Sequence, residues 1–107
     1  MTSKQRAKLR SMANTMDPIL FIGKDGVSDG TVKEAYDALE ARELIKGRVL
    51  ENALMSAREV ADQLAPLTRS EVVQVIGTKF VLYRETHSKP KEKRIELVKP
   101  AKKKAKK

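Results

Sequence analysis

Residues 18–30 read PILFIGKDGVSDG. A short apolar run, Ile19-Leu20-Phe21-Ile22, meets Gly23-Lys24-Asp25-Gly26 and then the opening of a helix. A continuous apolar run suits a strand covered on both faces. Ser28 or Asp29 offers an N-cap for the helix, and Gly30 gives the connection latitude. With no Cβ at either flank, such a turn lets backbone N–H groups come close to an anion. Strand, glycine turn and helix together predict the first half of a β-α-β unit.

Upstream, residues 3–16 predict a helix. Leu9, Met12, Ala13 and Met16 share one side at helical spacing, and Thr2 or Ser3 can cap the start. Asp17-Pro18 stops it, because the residue before proline avoids the α region. Downstream, Val32, Ala35, Tyr36 and Leu39 form the apolar stripe of a helix over 31–42. Residues 44–50 predict a second strand, in which Gly47 marks a bulge or the close approach of a ligand. A helix over 52–64 follows, with Leu54, Ala57, Val60, Ala61 and Leu64 periodic, and Pro66 ending it. Residues 72–76 and 79–84 are β-rich runs around Gly77-Thr78, which reads as a hairpin. Ile95 and Leu97 add a short extended piece. The chain has no internal repeat.

A helix followed by β-α-β-α-β-β predicts an α/β fold. It is a two-layer sandwich with helices packed on one face of a small mixed sheet and a right-handed crossover. The sheet's other face is then either covered by the N-terminal helix or open for binding.

A chain of 107 residues with 40% apolar side chains supports one domain with a modest core. It has no cysteine, which excludes disulfides and thiolate chemistry and fits a reducing compartment. No stretch is long and apolar enough to span a membrane. The basic N-terminus lacks the apolar segment of a secretory signal. The expectation is a cytoplasmic protein. The net charge of +9 is unevenly placed: residues 1–16 carry +4, residues 17–88 carry −3 and residues 89–107 carry +8. From residue 99 the composition is nearly all lysine and alanine, so the expected division is a domain over 1–98 and a disordered lysine-rich tail over 99–107. Basic ends on a near-neutral body suit a polyanion. The tail has no aromatic or leucine-rich face for entering a membrane.

Three blocks carry a family resemblance. SKQRAKLRSMAN (residues 3–14), PILFIGKDGVSDGTVKEAYDALEARELIKGRV (18–49) and EVVQVIGTKFVLYR (71–84) resemble the YhbY family of bacterial RNA-binding proteins. These are stand-alone CRM (chloroplast RNA splicing and ribosome maturation) domains. The resemblance spans residues 3–97, and VQVIG-x-x-x-VLYR is its most distinctive part. It implies a fold like the C-terminal domain of translation initiation factor three, with a KH-like GxxG loop. It also implies association with precursors of the large ribosomal subunit and a role in their maturation. The GxxG loop maps to Gly23, Lys24, Asp25 and Gly26. Asp25 departs from the basic or neutral residues usual at such positions. A carboxylate there repels phosphate, and is better suited to capping the next turn or accepting from a ribose 2′-hydroxyl.

Lys24 can set an ammonium beside a phosphate as a point charge, and the start of the 31–42 helix adds partial positive charge. Lys4, Lys8 and Arg10 on the first helix are further candidate RNA contacts. So are Lys46, Arg48, Lys79 and Arg84 on the strands and hairpin. Surface ion pairs with nearby acids are an equally good use of these cations. Phe21 and Tyr36 are expected in the core. Phe80 and Tyr83 have opposite parity on one strand and point to opposite faces, leaving one of them available to stack on a base. Without an aromatic pair, recognition rests on backbone and shape.

The expected function is non-catalytic: a monomer that binds ribosomal RNA in large-subunit precursors, with no cofactor, metal or small-molecule substrate. The alternative is a general nucleic-acid-binding protein, including one that coats DNA, working through its basic ends. Enzymatic readings find little to use. His87 is the sole histidine, Asp25 and Asp29 lack a third ligand at convincing spacing, and the P-loop motif is absent.

Overall fold

The computed structural model describes residues 2–85. In chain order these form α1 (Ser3–Ala13), β1 (Leu20–Ile22), α2 (Asp29–Arg42), β2 (Leu44–Val49), α3 (Ala57–Thr68), β3 (Glu71–Ile76) and β4 (Lys79–Tyr83). The extended piece expected at Ile95 and Leu97, His87 and the lysine-rich tail lie outside the described residues. Among the described residues, no helix is long and apolar enough to cross a membrane.

Local chemistry sets the helix starts. The Thr2 hydroxyl accepts from the Gln5 amide at 3.1 Å, while Thr2 N–H donates to the Gln5 side chain at 2.9 Å. Ser56 and Glu59 form the same reciprocal box at 3.1 and 2.8 Å. Ser28 caps α2 by accepting from Thr31 N–H at 3.2 Å. Each such cap is worth about 1 kcal/mol.

The Ser56 box corrects the expected helix over 52–64, since α3 begins at Ala57. Leu54, counted in its stripe, is 88% exposed in the preceding loop. Pro66 does not end α3 but sits in its last turn. Its missing N–H breaks one bond near the helix end, and the fold tolerates that. The helix closes where Arg69 adopts a left-handed φ of 58° and Ser70 N–H donates to the Ala65 carbonyl at 2.8 Å.

The sheet is mixed, in the order β1-β2-β4-β3. β1 runs parallel to β2, and the β2–β4 and β4–β3 pairs are antiparallel. Gly77, with φ of 58°, turns the β3–β4 hairpin, as the glycine of a type II′ turn does. The bulge is not at Gly47, where the β2–β4 register is unbroken. It falls in β3, where Val72 pairs with Leu82 and Gln74 with Val81, leaving Val73 between them. A bulge disrupts the ladder locally. Here the Arg6 guanidinium donates to the Val72 carbonyl at 2.6 Å and the Val73 carbonyl at 3.3 Å, pinning α1 to that point.

Alternation splits the core in two. Leu20, Ile22, Ile45, Val49, Phe80 and Leu82 face α2 and α3, meeting Ala35 and Leu39 of the first and Val60, Ala61 and Leu64 of the second. Leu44, Val73, Val81 and Tyr83 face the other way, under Leu9 and Ala13 of α1. Phe80 and Tyr83 therefore point to opposite faces, as their parity requires, but both are buried because α1 closes the second face at that end. Two aromatics expected in the core are not there. β1 alternates buried, exposed, buried, so Phe21 stands 53% exposed on the outer face of an edge strand. Tyr36 is 41% exposed, with the Arg84 guanidinium 4.4 Å above its ring.

Gly47 has an internal reason. A Cβ built there would lie 2.2 Å from Phe80 Cζ. The close approach expected from a ligand is made by the protein's own buried ring.

Candidate functional site

The Gly23–Gly26 segment is a tight turn closed by Gly26 N–H donating to the Gly23 carbonyl at 3.0 Å. Lys24 and Asp25 occupy its exposed tip. The two glycines differ in kind. Gly26 has φ of +63°, a left-handed conformation that most side chains resist. Gly23 has no positive φ, and a Cβ there would sit at ordinary contact distance, 3.6 Å from Asn52 Oδ1. Nothing in the backbone or the packing of the described residues therefore demands glycine at 23. Its effect is to leave the main chain bare at the turn's entrance. At the turn's exit, Ser28 caps α2 and Asp29 occupies the first helical turn. The positive end of α2 thus already has an acid of its own beside it.

Two other connections border this turn. Leu50 N–H donates to the Ile22 carbonyl at 2.8 Å, and Val49 N–H donates to the Thr78 carbonyl at 2.7 Å. The 23–26 turn, the 50–56 loop and the β3–β4 hairpin therefore share one end of the sheet. Arg48 and Lys79 lie at that end, directly opposite each other on β2 and β4, and both are exposed. Among the described residues neither has an ion-pair partner. Like charges placed opposite each other in a sheet are destabilising. An anion lying over the pair would offset that cost.

The structure scatters the remaining candidate residues. Lys4 and Lys8 are exposed on α1 and Arg10 is half-buried there, on the helix that covers the other end of the sheet. Lys46 lies on the same sheet face as Arg48, but its ammonium donates to the Ala13 carbonyl at 3.0 Å and the Met16 carbonyl at 3.2 Å. It closes the C-terminal end of α1, where a cation is favoured. Arg84 is at the opposite end of the sheet from the glycine turn. Its guanidinium pairs with the Glu40 carboxylate, donates to the Thr68 carbonyl at 3.4 Å and covers Tyr36. With 11% of the side chain exposed, Arg84 joins α2, α3 and β4. Among the described residues, no group of three or more His, Cys, Asp or Glu side chains is placed to hold a metal ion, so Asp25 and Asp29 gain no third ligand.

Replacing Lys46 with methionine should therefore cost about 1–2 kcal/mol of stability in urea denaturation, since two carbonyls lose a charged donor. Nucleic-acid affinity should change little. Unchanged stability with weakened binding would return Lys46 to the contact surface.

Residues 1–84 match the model of the CRS1 / YhbY (CRM) domain. The chain belongs to the CRM-domain family. Relatives agree across its length. "Probable RNA-binding protein YqeI" of Bacillus subtilis is 45% identical over 97 residues, covering 91% of this chain and 98% of that protein. "Probable RNA-binding protein MJ0652" of Methanocaldococcus jannaschii is 36% identical over 120 residues, covering 98% of this chain and 89% of that one. The solution structure of the protein SAV1595 from Staphylococcus aureus superposes with a TM-score of 0.74 at 48% identity, covering 92% of this chain and 99% of that chain. The mixed sheet with helices on both faces is thus the CRM-domain fold.

Among the features of this CRM domain that sequence reasoning missed is the exposed Phe21. The signal was the shortness of the run before glycine. A three-residue strand that starts a β-α-β unit can be an edge, and an edge strand need not be covered on both faces. The decisive information was the reach of α1, which no local pattern encodes.

Proposed function

We propose that this protein binds the backbone of structured RNA in precursors of the large ribosomal subunit and assists their assembly without catalysis. The observation that carries this reading is Gly23, a glycine with neither a left-handed φ nor a steric reason, at the entrance of an exposed turn bearing Lys24. A sugar-phosphate strand approaching the main chain uses the space a side chain would occupy. Arg48 and Lys79 lie at the same sheet end and supply two exposed cations beside it, neither with an ion-pair partner among the described residues. Membership of the CRM-domain family and the RNA-binding names of the relatives support RNA as the polyanion. In this proposal the protein acts as a cytoplasmic monomer. Its lysine-rich residues 99–107 raise affinity through counterion release without choosing the site.

The test is sedimentation of a cell extract on sucrose gradients at low and high magnesium, following the tagged protein. Co-migration with large-subunit precursors and not with mature ribosomes is the expected result. Protein confined to the top of both gradients, or spread over every ribosomal species alike, would remove the assembly role.

A further inference from the structure

α1 covers only part of the sheet's outer face. It lies over Leu44, Val81 and Tyr83 and leaves the row nearest the glycine turn open. Strand pairing places Phe21, Arg48, Lys79 and Ile76 side by side in that row, from β1 to β3. All four are on the face opposite α2 and α3, and all four are exposed, with Ile76 at 61%. The row spans three strand spacings, about 14 Å. Next to it a recess is lined by Asn14, Lys46, Gln74, Ile76, Lys79 and Val81.

An aromatic ring and a large aliphatic side chain held in water on a rigid sheet, with two cations between them, match one occupant well. Base faces are apolar and stack on aromatic rings, and the phosphates joining them are anionic. A protein partner of ordinary composition would leave Arg48 and Lys79 uncompensated. A duplex would hide its bases from Phe21. We infer that this row is a seat for a short unpaired run of RNA, with one base stacked on Phe21, the phosphates that follow it over Arg48 and Lys79, and a base further along the strand reaching Ile76 and the amides of Asn14 and Gln74. The seat begins two residues before Gly23, so a strand held at the turn continues directly onto it. This rests on the RNA-binding reading above and narrows it to unpaired nucleotides beside a structured element.

The chain contains no tryptophan, so Phe21→Trp places a sole tryptophan at the seat, whose emission can be excited apart from that of the two tyrosines. Oligoadenylate should quench its emission, and a fully paired RNA duplex of equal charge should not. Phe21→Leu should weaken oligoadenylate binding roughly five- to one-hundred-fold, the range for losing one stacked base, and leave duplex affinity unchanged. Arg48→Gln should weaken it too and lower the salt slope by about one. The inference is overturned if Phe21→Leu binds oligoadenylate as tightly as the parent, or if both RNAs lose affinity equally. It is also overturned if the tryptophan is shielded from acrylamide before RNA is added, or if Phe21→Asp dissociates a dimer. In those last cases another segment of the chain or a second copy covers the row. Weakened structured-RNA binding by Gly23→Asp beside a silent Phe21→Leu would sink this seat alone. The converse would sink the turn and keep the seat.

Discussion

Gly47→Ala should destabilise the domain by about 2–3 kcal/mol, the upper part of the range for overpacking a core. The added Cβ would lie 2.2 Å from Phe80 Cζ and 2.7 Å from both Cε atoms. Phe80 is fully buried and pairs with Gly47 across the β2–β4 ladder. Leu20, Ile22, Ile45, Leu64 and Leu82 belong to the same buried cluster, so the ring has no free direction in which to retreat. The sign is informative. In a strand with open space over it, alanine would be better than glycine by about 0.5–1 kcal/mol because it loses less backbone entropy on folding. A net loss therefore means that the clash outweighs that gain. The expected thermal shift is a drop of about 10–20 °C for a domain of this size. Combining Gly47→Ala with Phe80→Leu should cost less than the sum of the two single changes, since the smaller side chain vacates the space. Additive losses, or a stable Gly47→Ala, would mean that the ring does not sit over the glycine.

Gly23→Asp should weaken binding to structured RNA about tenfold or more at moderate salt, while the melting temperature stays within experimental error. At this position a side chain has room and needs no unusual φ, so the fold loses little. What changes is the approach path: a Cβ and a second carboxylate, near Asp25, stand where a phosphate would come. A tenfold change corresponds to about 1.4 kcal/mol, modest for a repulsion between close like charges. Gly26→Asp is a poorer probe. Its φ of +63° and a Cβ contact of 3.2 Å with Met55 Sδ add strain to any binding effect. Gly23→Ala should fall between the parent and Gly23→Asp, separating bulk from charge. Duplex DNA of equal charge, attracted by the basic ends, should respond little to either change. If all three proteins bind structured RNA alike, the turn is not a contact and the basic ends account for the affinity.

Much of the architecture was legible locally. Element order, the Gly77-Thr78 hairpin, the parity of Phe80 against Tyr83 and the strand–turn–helix around Gly23 depend on residues close in the chain, and each held. The start of α3 was also legible, but in Ser56-x-x-Glu59 rather than in apolar spacing. A reciprocal pair of side chain–backbone hydrogen bonds fixes a helix start more sharply than a stripe that also runs through the preceding loop. Pro66 misled because a proline near a helix end breaks a single bond, and a left-handed Arg69 could close the helix beyond it.

The candidate site was legible in part. The glycine turn and the exposed Arg48 and Lys79 were in the sequence reading. The internal roles of Lys46 and Arg84 were not, because their partners, the carbonyls of Ala13, Met16 and Thr68 and the carboxylate of Glu40, are far away in the chain or are main-chain atoms common to every residue.

Periodicity, caps and glycine placement determined which segments are helix and which are strand, and these are short-range matters of backbone geometry and hydrogen-bond satisfaction. They left open which surfaces stay wet. That depended on where α1 comes to rest: its Leu9 and Ala13 bury Tyr83 and Val81, its Arg6 anchors it to the β3 bulge, and Phe21 lies beyond its reach. Burial is a property of what arrives from elsewhere in the chain. The same aromatic residue type is therefore core at position 80 and solvent-facing at position 21.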